Sequence, residues 1–212
     1  MEYKTLITDT KAPYVYWLLD KSNLDKPEEV VSLVNTTKIF NLVLVYCNNW
    51  DDDYSPWKSP PVFGSRAFGG KGQSTLEDIE KTVVKIGGTE NFITGYSLSG
   101  LFAMWAFFES RSFKGFGCCS GSLWFPEIVS YVEQKAMAIE RSNKYGYLSL
   151  GNKEEKTKNP IMRTVGDNTR KINNILNNIN GFKNCLVWNE GGHFSEPMRR
   201  TASSVQWLMS QL

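Results

Sequence analysis

Residues 39–47 (IFNLVLVYC) are almost continuously apolar. A strand with that pattern has no face to offer to water, so it belongs in a sheet covered on both sides. Residues 14–19, 91–96, 113–119, 145–150 and 184–188 are further short runs rich in Val, Ile, Leu and aromatics. Between them lie segments of helical period, and the later chain alternates strand with helix. The pattern predicts an α/β fold with a mostly parallel sheet and crossover helices on both faces.

The helices are specified individually. Residues 75–86 place Leu76, Ile79, Val83 and Ile86 on one face behind a capping-box pattern, Ser74 followed by Glu77. Residues 98–109 are apolar almost all round, as a helix buried under a sheet must be. Residues 159–179 carry Pro160 in their first turn and space Ile161, Val165, Ile172, Leu176 and Ile179 along a face, and residues 196–211 present Ala202, Val205, Leu208 and Met209. No repeat, low-complexity segment or linker interrupts the 212 residues, and one domain over 1–212 is expected. Residues 48–73 break the rhythm, with three prolines among five aromatics and no periodicity. They leave the apolar strand 39–47 at its carboxyl end, where open α/β sheets bind ligands.

Composition removes several function classes. A 41% hydrophobic, 22% charged chain buries a core, which excludes disorder and fibrous repeats. Lys and Arg number 24 against 22 Asp and Glu, a net charge of +2 without a long basic block, so nucleic acid is not an expected partner. The first ten residues, MEYKTLITDT, contain no apolar h-region and no run approaches about 18 apolar residues, so a cytoplasmic protein without a membrane partner is expected. Cys47, Cys118, Cys119 and Cys185 lie in strand-like runs and read as buried thiols, with no zinc spacing. Residues 64–72 (GSRAFGGKG) miss a phosphate loop at Ser65 and Gly72, and Gly115-Phe116-Gly117 misses a dinucleotide fingerprint at Ser120. The run Asp51 to Asp53 lacks the spaced ligands of a calcium loop and reads as a brace for its loop or a solvated tip. No cofactor and no metal are expected.

Chemistry concentrates where residues 92–101 (FITGYSLSGL) run from an apolar strand into an apolar helix with Ser97 at the joint. This is a G-x-S-x-G nucleophile-elbow pattern with Ser99 in the second glycine position. The sharp turn demands small residues two before and two after the nucleophile, and Gly95 and Ser99 meet that demand. A serine hydroxyl needs an adjacent base, most often imidazole. The chain has one histidine, His193, which follows strand 184–188 through a Gly-Gly pair, and the order serine first, histidine last suits the pattern. The acid that orients it is expected in the loop after strand 145–150, where Glu154 and Glu155 are both available; Asp167 is a weaker candidate inside a helix, and Asn152 lacks the charge. Oxyanion donors would be backbone N–H groups, Leu98 for one and Trp50, or next Asp51, for the other.

The segments GYSLSGLFAMWAFF, SLGNKEEKTKNP, WNEGGHF and NWDDDYSPW occur in an order and spacing that resemble the compact esterase D-like and enterochelin-esterase-like branch of the α/β-hydrolases. The resemblance runs from about Leu42 to the C-terminus. It implies an α/β-hydrolase fold without a large cap domain, Ser97 as nucleophile, His193 as base and an acidic orienter after the seventh strand. Asn152 stands where that branch often has Asp, which leaves the acid to Glu154 or Glu155. Without a cap, the 50–68 loop would form much of the pocket, with Trp50, Tyr54 and Trp57 as its candidate walls. The expected activity is that of a serine carboxylesterase acting on a small-molecule ester through an acyl-enzyme. An acyltransferase or amidase using the same serine, or an inactive binding module, are the alternatives, and the oligomeric state is open.

Overall fold

The computed structural model describes residues 1–21, 27–88, 90–137 and 143–212. Nine strands are described: β1 Glu2–Leu6, β2 Tyr14–Asp20, β3 Asn41–Cys47, β4 Lys58–Ser59, β5 Phe68–Gly69, β6 Asn91–Tyr96, β7 Gly115–Cys119, β8 Lys144–Gly151 and β9 Phe182–Asn189. The described helices are α1 Pro27–Ser32, α2 Trp50–Asp53, α3 Gly72–Ile86, α4 Leu98–Glu109, α5 Ile128–Ala136, α6 Val165–Asn177 and α7 Pro197–Ser210. Seven strands form one sheet in the order β1-β3-β2-β6-β7-β8-β9, parallel except for β1, which runs antiparallel to β3.

The sheet is covered on both faces because its central strands are apolar on both. In β2, Tyr14, Tyr16 and Leu18 join the core beneath α3, α4, α5 and α6, while Val15, Trp17 and Leu19 join a second core beneath α1 and α7. Alternate residues point to opposite faces, so one run of sequence feeds both cores. All of β3 is buried, as is α4 from Leu98 to Phe107, whose two faces meet the sheet and its neighbouring helices. Phe116 on β7 anchors an aromatic group with Phe107 and Phe182, at ring-centroid distances of 5.2 and 6.4 Å.

Several boundaries differ from the sequence reading. β1 was not anticipated: its Glu2-Tyr3-Lys4-Thr5-Leu6 pattern is that of a half-exposed edge strand and carries little apolar signal. Helix α3 begins at Gly72, ahead of the proposed capping box, and Ser74 Oγ donates to the Lys71 carbonyl at 2.9 Å instead of capping. Helix α6 begins at Val165, so Pro160 lies outside it. A 3-10 turn, Met162–Thr164, precedes it, with Asn159 Oδ1 accepting from the N–H groups of Ile161 and Met162 at 2.9 and 3.1 Å. The 48–73 segment is ordered by α2 and the β4–β5 hairpin. Its aspartates are the brace: Asp53 Oδ2 accepts from the Asn48 and Asn49 N–H groups at 2.8 and 3.0 Å, Asp51 pairs with Arg66 at 3.2 Å and Asp52 with Lys71 at 3.0 Å.

Strand order reverses between β2 and β6: the chain leaves β2 toward β3 on one side and returns to β6 on the other. The crevice outside the carboxyl ends of these strands is where doubly wound sheets bind ligands. Replacing the fully buried Phe116 with alanine is expected to destabilise the fold by about 3–5 kcal/mol, read as a lowered urea midpoint with little change in m-value.

Candidate active site

β6 ends at Tyr96 and α4 begins at Leu98, so the chain turns on one residue. Ser97 adopts φ 59°, ψ −124°, a conformation that costs a residue with a Cβ roughly 1–3 kcal/mol. The turn is tight enough that a Cβ on Gly95 would stand 2.5 Å from Ser99 Oγ and 2.6 Å from the Ser99 carbonyl carbon. Buried Ser99 braces it, with Oγ accepting from the Tyr96 N–H at 3.0 Å and donating to the Tyr96 carbonyl at 2.9 Å. A hydroxyl here holds a turn that a second glycine would only permit.

His193 Nε2 lies 3.0 Å from Ser97 Oγ, and His193 Nδ1 lies 2.7 Å from Glu154 Oε2. The other Glu154 oxygen accepts from the Gly151 N–H at 2.7 Å and from Arg200 Nη1 at 3.1 Å. The Glu154 side chain is 4% exposed and that of Arg200 5%. Burial alone would push the Glu154 carboxyl up; its hydrogen bond to His193 and the charge there, with the Gly151 N–H, more than offset this and hold it below its ordinary 4.5. An ionised carboxylate only accepts, so Nδ1 carries the imidazole proton and Nε2 is left to accept from Ser97.

The loops that carry these groups are stitched together by backbone. Asn152 donates its N–H to the Asn189 carbonyl at 2.9 Å and its Oδ1 accepts from the Gly191 N–H at 3.1 Å, while the Lys153 N–H reaches the Gly191 carbonyl at 3.1 Å. A Cβ on Gly151 would stand 2.5 Å from the Gly191 oxygen, so the two loops approach this closely only over a glycine. Tyr96 OH donates to the His193 carbonyl. Asn152 thus ties the acid-bearing loop to the histidine-bearing one.

The remaining candidates divide. Glu155 faces Arg170, 3.0 Å away, and Asp167 pairs with the same guanidinium at 3.0 Å; neither touches His193. Leu98 and Trp50 open α4 and α2, and among the described residues their N–H groups have no acceptor. Both residues line the cavity of about 440 Å³ that holds Ser97, with Asp51 beside Trp50. Tyr54 does not reach that wall: it is fully buried, with its hydroxyl against the Leu19 and Val45 carbonyls at 3.1 Å each. Trp57 packs instead on Phe125 and Tyr131, with centroids at 5.7 and 5.6 Å. The wall is built by Phe63, Phe68, Trp124 and Met162 in their place. A larger recess of about 510 Å³ at the C-terminal ends of α5 and α6 holds neither Ser97 nor His193.

Among the described residues no cluster of His, Cys, Asp and Glu could hold a metal ion, and no helix is long and apolar enough to cross a membrane. All four cysteines carry free thiols, and burial pushes Cys47 up to about 12 and Cys119 to about 11. Thiols this weakly acidic are poor nucleophiles near neutral pH.

No family model and no curated protein sequence matches the chain. Solved structures do. A siderophore hydrolase, EstA from Aspergillus nidulans, superposes with a TM-score of 0.73 at 16% identity, over 94% of this chain and 83% of its own. EstB, a siderophore hydrolase from the same organism, gives 0.70 at 15% identity over 96% and 83%. The chain has an α/β-hydrolase fold. An acylaminoacyl peptidase from Pyrococcus horikoshii shares that fold at a TM-score of 0.56 and 14% identity, over 95% of this chain but 37% of its own.

Sequence reasoning missed Arg200 and Ser122. Arg200 bridges Glu154, the Ser120 hydroxyl at 3.0 Å and the Glu190 carbonyl at 2.8 Å, whereas its neighbour Arg199 is exposed and pairs with Glu196 at 3.4 Å. Two adjacent arginines at a helix start offer no signal that one is buried. Ser122 Oγ lies 3.4 Å from Ser97 Oγ, and its N–H donates to the Ser97 carbonyl at 3.0 Å.

Removing one partner of a buried ion pair strands the other charge, so Arg200→Met is expected to lower the unfolding free energy by about 3–5 kcal/mol, measured by urea titration at pH 7. The Glu154 carboxyl is held lower in the folded chain than in the unfolded one. Its contribution is therefore complete above its unfolded value and is lost as pH falls through the folded value. Stability should drop on acidification below about pH 4.5, and Glu154→Gln should flatten that part of the profile; thermal unfolding across pH 3–7 checks both.

Proposed function

We propose that the chain is a serine hydrolase that cleaves carboxylic esters through an acyl-enzyme. The observation that carries this reading is the continuous hydrogen-bonded line Ser97–His193–Glu154, with contacts of 3.0 and 2.7 Å, at the carboxyl end of the sheet. The neighbours of the same shape are hydrolases by their own descriptions, which agrees with it.

In this mechanism Ser97 Oγ attacks the ester carbonyl carbon as its proton passes to His193 Nε2. The C–O double bond opens to an oxyanion, for which the N–H groups of Leu98 and Trp50 are the donors, each worth about 3 kcal/mol in comparable sites. The dipole of α4 favours the same negative charge at its N-terminus. Glu154 stabilises the imidazolium and fixes the tautomer without taking the proton. Collapse breaks the bond to the alkoxy oxygen, which leaves as the alcohol with the proton from His193. Water then gives a proton to Nε2, attacks the acyl carbon and releases the acid, and Ser97 recovers its hydrogen.

Ser97→Ala and His193→Ala are each expected to lower kcat for a chromogenic ester by about 10⁴-fold or more, and Glu154→Gln by about 10³- to 10⁴-fold. A fluorophosphonate should add once, to Ser97, with the adduct located by peptide mapping. Folded protein that takes no adduct, or a Ser97→Ala variant that retains turnover, would falsify the reading.

A further inference from the structure

Ser97 and His193 stand on a divide between two cavities. The first, about 440 Å³, is walled by Phe63, Phe68, Trp124 and Met162. The second, about 320 Å³, is walled by Leu18, Leu19, Pro197 and Met198. Trp50 and Phe194 border both, and both reach Ser97 and His193. A cavity of about 150 Å³ lined by apolar side chains takes up benzene, so each side has room for more than a single ring.

The chemistry of the two walls is alike. No Lys or Arg among the described residues lines either cavity, and the carboxylates that do are already engaged: Asp51 pairs with Arg66 at 3.2 Å, and Asp20 too has a partner. The basic side chains near the centre, Lys153 and Lys156, line an adjoining recess of about 330 Å³ that meets the first cavity at Trp124, Met162, His193 and Phe194 but does not reach Ser97. An anionic substituent seated in either cavity would find no Lys or Arg in its walls. Phe194, 91% exposed, lies at the junction with its ring edge-on to His193, 5.2 Å away. Substrate seated across the divide would take that ring out of water.

The substituents of an ester diverge from its carbonyl carbon, one through carbon and one through oxygen. Bonded to Ser97 Oγ, with the oxyanion turned to the N–H groups of Leu98 and Trp50, such a centre sends its two substituents apart. We infer that the substrate is a carboxylic ester with an uncharged, apolar group on each side of the scissile bond, one in each cavity, with Trp50 and Phe194 as the shared walls. This rests on the serine-hydrolase reading above. Acetates of hydrophilic alcohols, and esters with charge beside the carbonyl, would leave one cavity or both wet.

Two ester series test it: p-nitrophenyl esters from acetate to octanoate lengthen the acyl side, and methyl to octyl esters of one fixed acid lengthen the alcohol side. In each, kcat/KM should climb about fourfold per methylene until the cavity is full. Phe63→Asp and Met198→Asp each place a charge on the rim of one cavity. One should flatten the acyl series and the other the alcohol series, by at least about tenfold at the long end. Equal cleavage of acetate and octanoate esters by the wild type, or one variant flattening both series, would overturn the inference. Calorimetric titration of Ser97→Ala with phenyl hexanoate and with ethyl acetate reads the cavities without turnover. Tighter binding of phenyl hexanoate by tenfold or more sustains the recognition of an apolar group in each cavity, and if no ester is cleaved it is the hydrolase reading, with the ester as substrate, that falls; equal binding overturns the recognition itself.

Discussion

Glu154 carries a negative charge out of water, and much of the local architecture follows from what that requires. Removing a carboxylate from solvent costs several kcal/mol unless every oxygen finds a donor. Here one oxygen meets imidazole, and the other meets a peptide N–H and a guanidinium. Those donors come from the last residue of β8, the loop after β9 and helix α7, so satisfying one carboxyl group locks three pieces of chain together. The imidazole is thereby fixed in the tautomer and orientation that leave Nε2 facing the Ser97 hydroxyl. Stability and the geometry of the candidate site draw on the same few hydrogen bonds.

The switch in strand order supplies the space around this group. Between β2 and β6 the connections depart to opposite sides, and the crevice they leave is open in both directions from Ser97. Segment 48–73 wraps one side and the start of α7 borders the other, which is why two cavities meet at one hydroxyl. A cap is not needed to build either wall.

The sheet was legible because its central strands are apolar on both faces, a pattern that propensity and periodicity report directly. β1 was not, since an edge strand that alternates Lys and Glu with apolar residues reads much like a polar terminus. Ser97 could be picked out because strand, tight turn and buried helix impose small residues at 95 and 99, and His193 because the chain has no other imidazole. Glu154 and Glu155 could not be separated in advance. The 3-10 turn that contains them points one inward and the other to Arg170, and that difference depends on the approach of Gly151 to Gly191 across the sheet, which local sequence does not encode. Tyr54 and Trp57 show the same limit: aromatic side chains suit a pocket and a core equally, and Tyr54 found two carbonyls for its hydroxyl inside the core.

The members of the site are far apart in sequence, at positions 97, 154, 193 and 200. A ribosome delivers the chain N-terminus first, so the elbow, its strand and its helix exist well before the imidazole and the guanidinium have been polymerised. During that interval the serine is an ordinary alcohol in a strained turn. The Ser97 hydroxyl can meet its imidazole neighbour, and the Glu154 carboxylate its imidazole and guanidinium donors, only after β9 and α7 have been made and have joined the sheet.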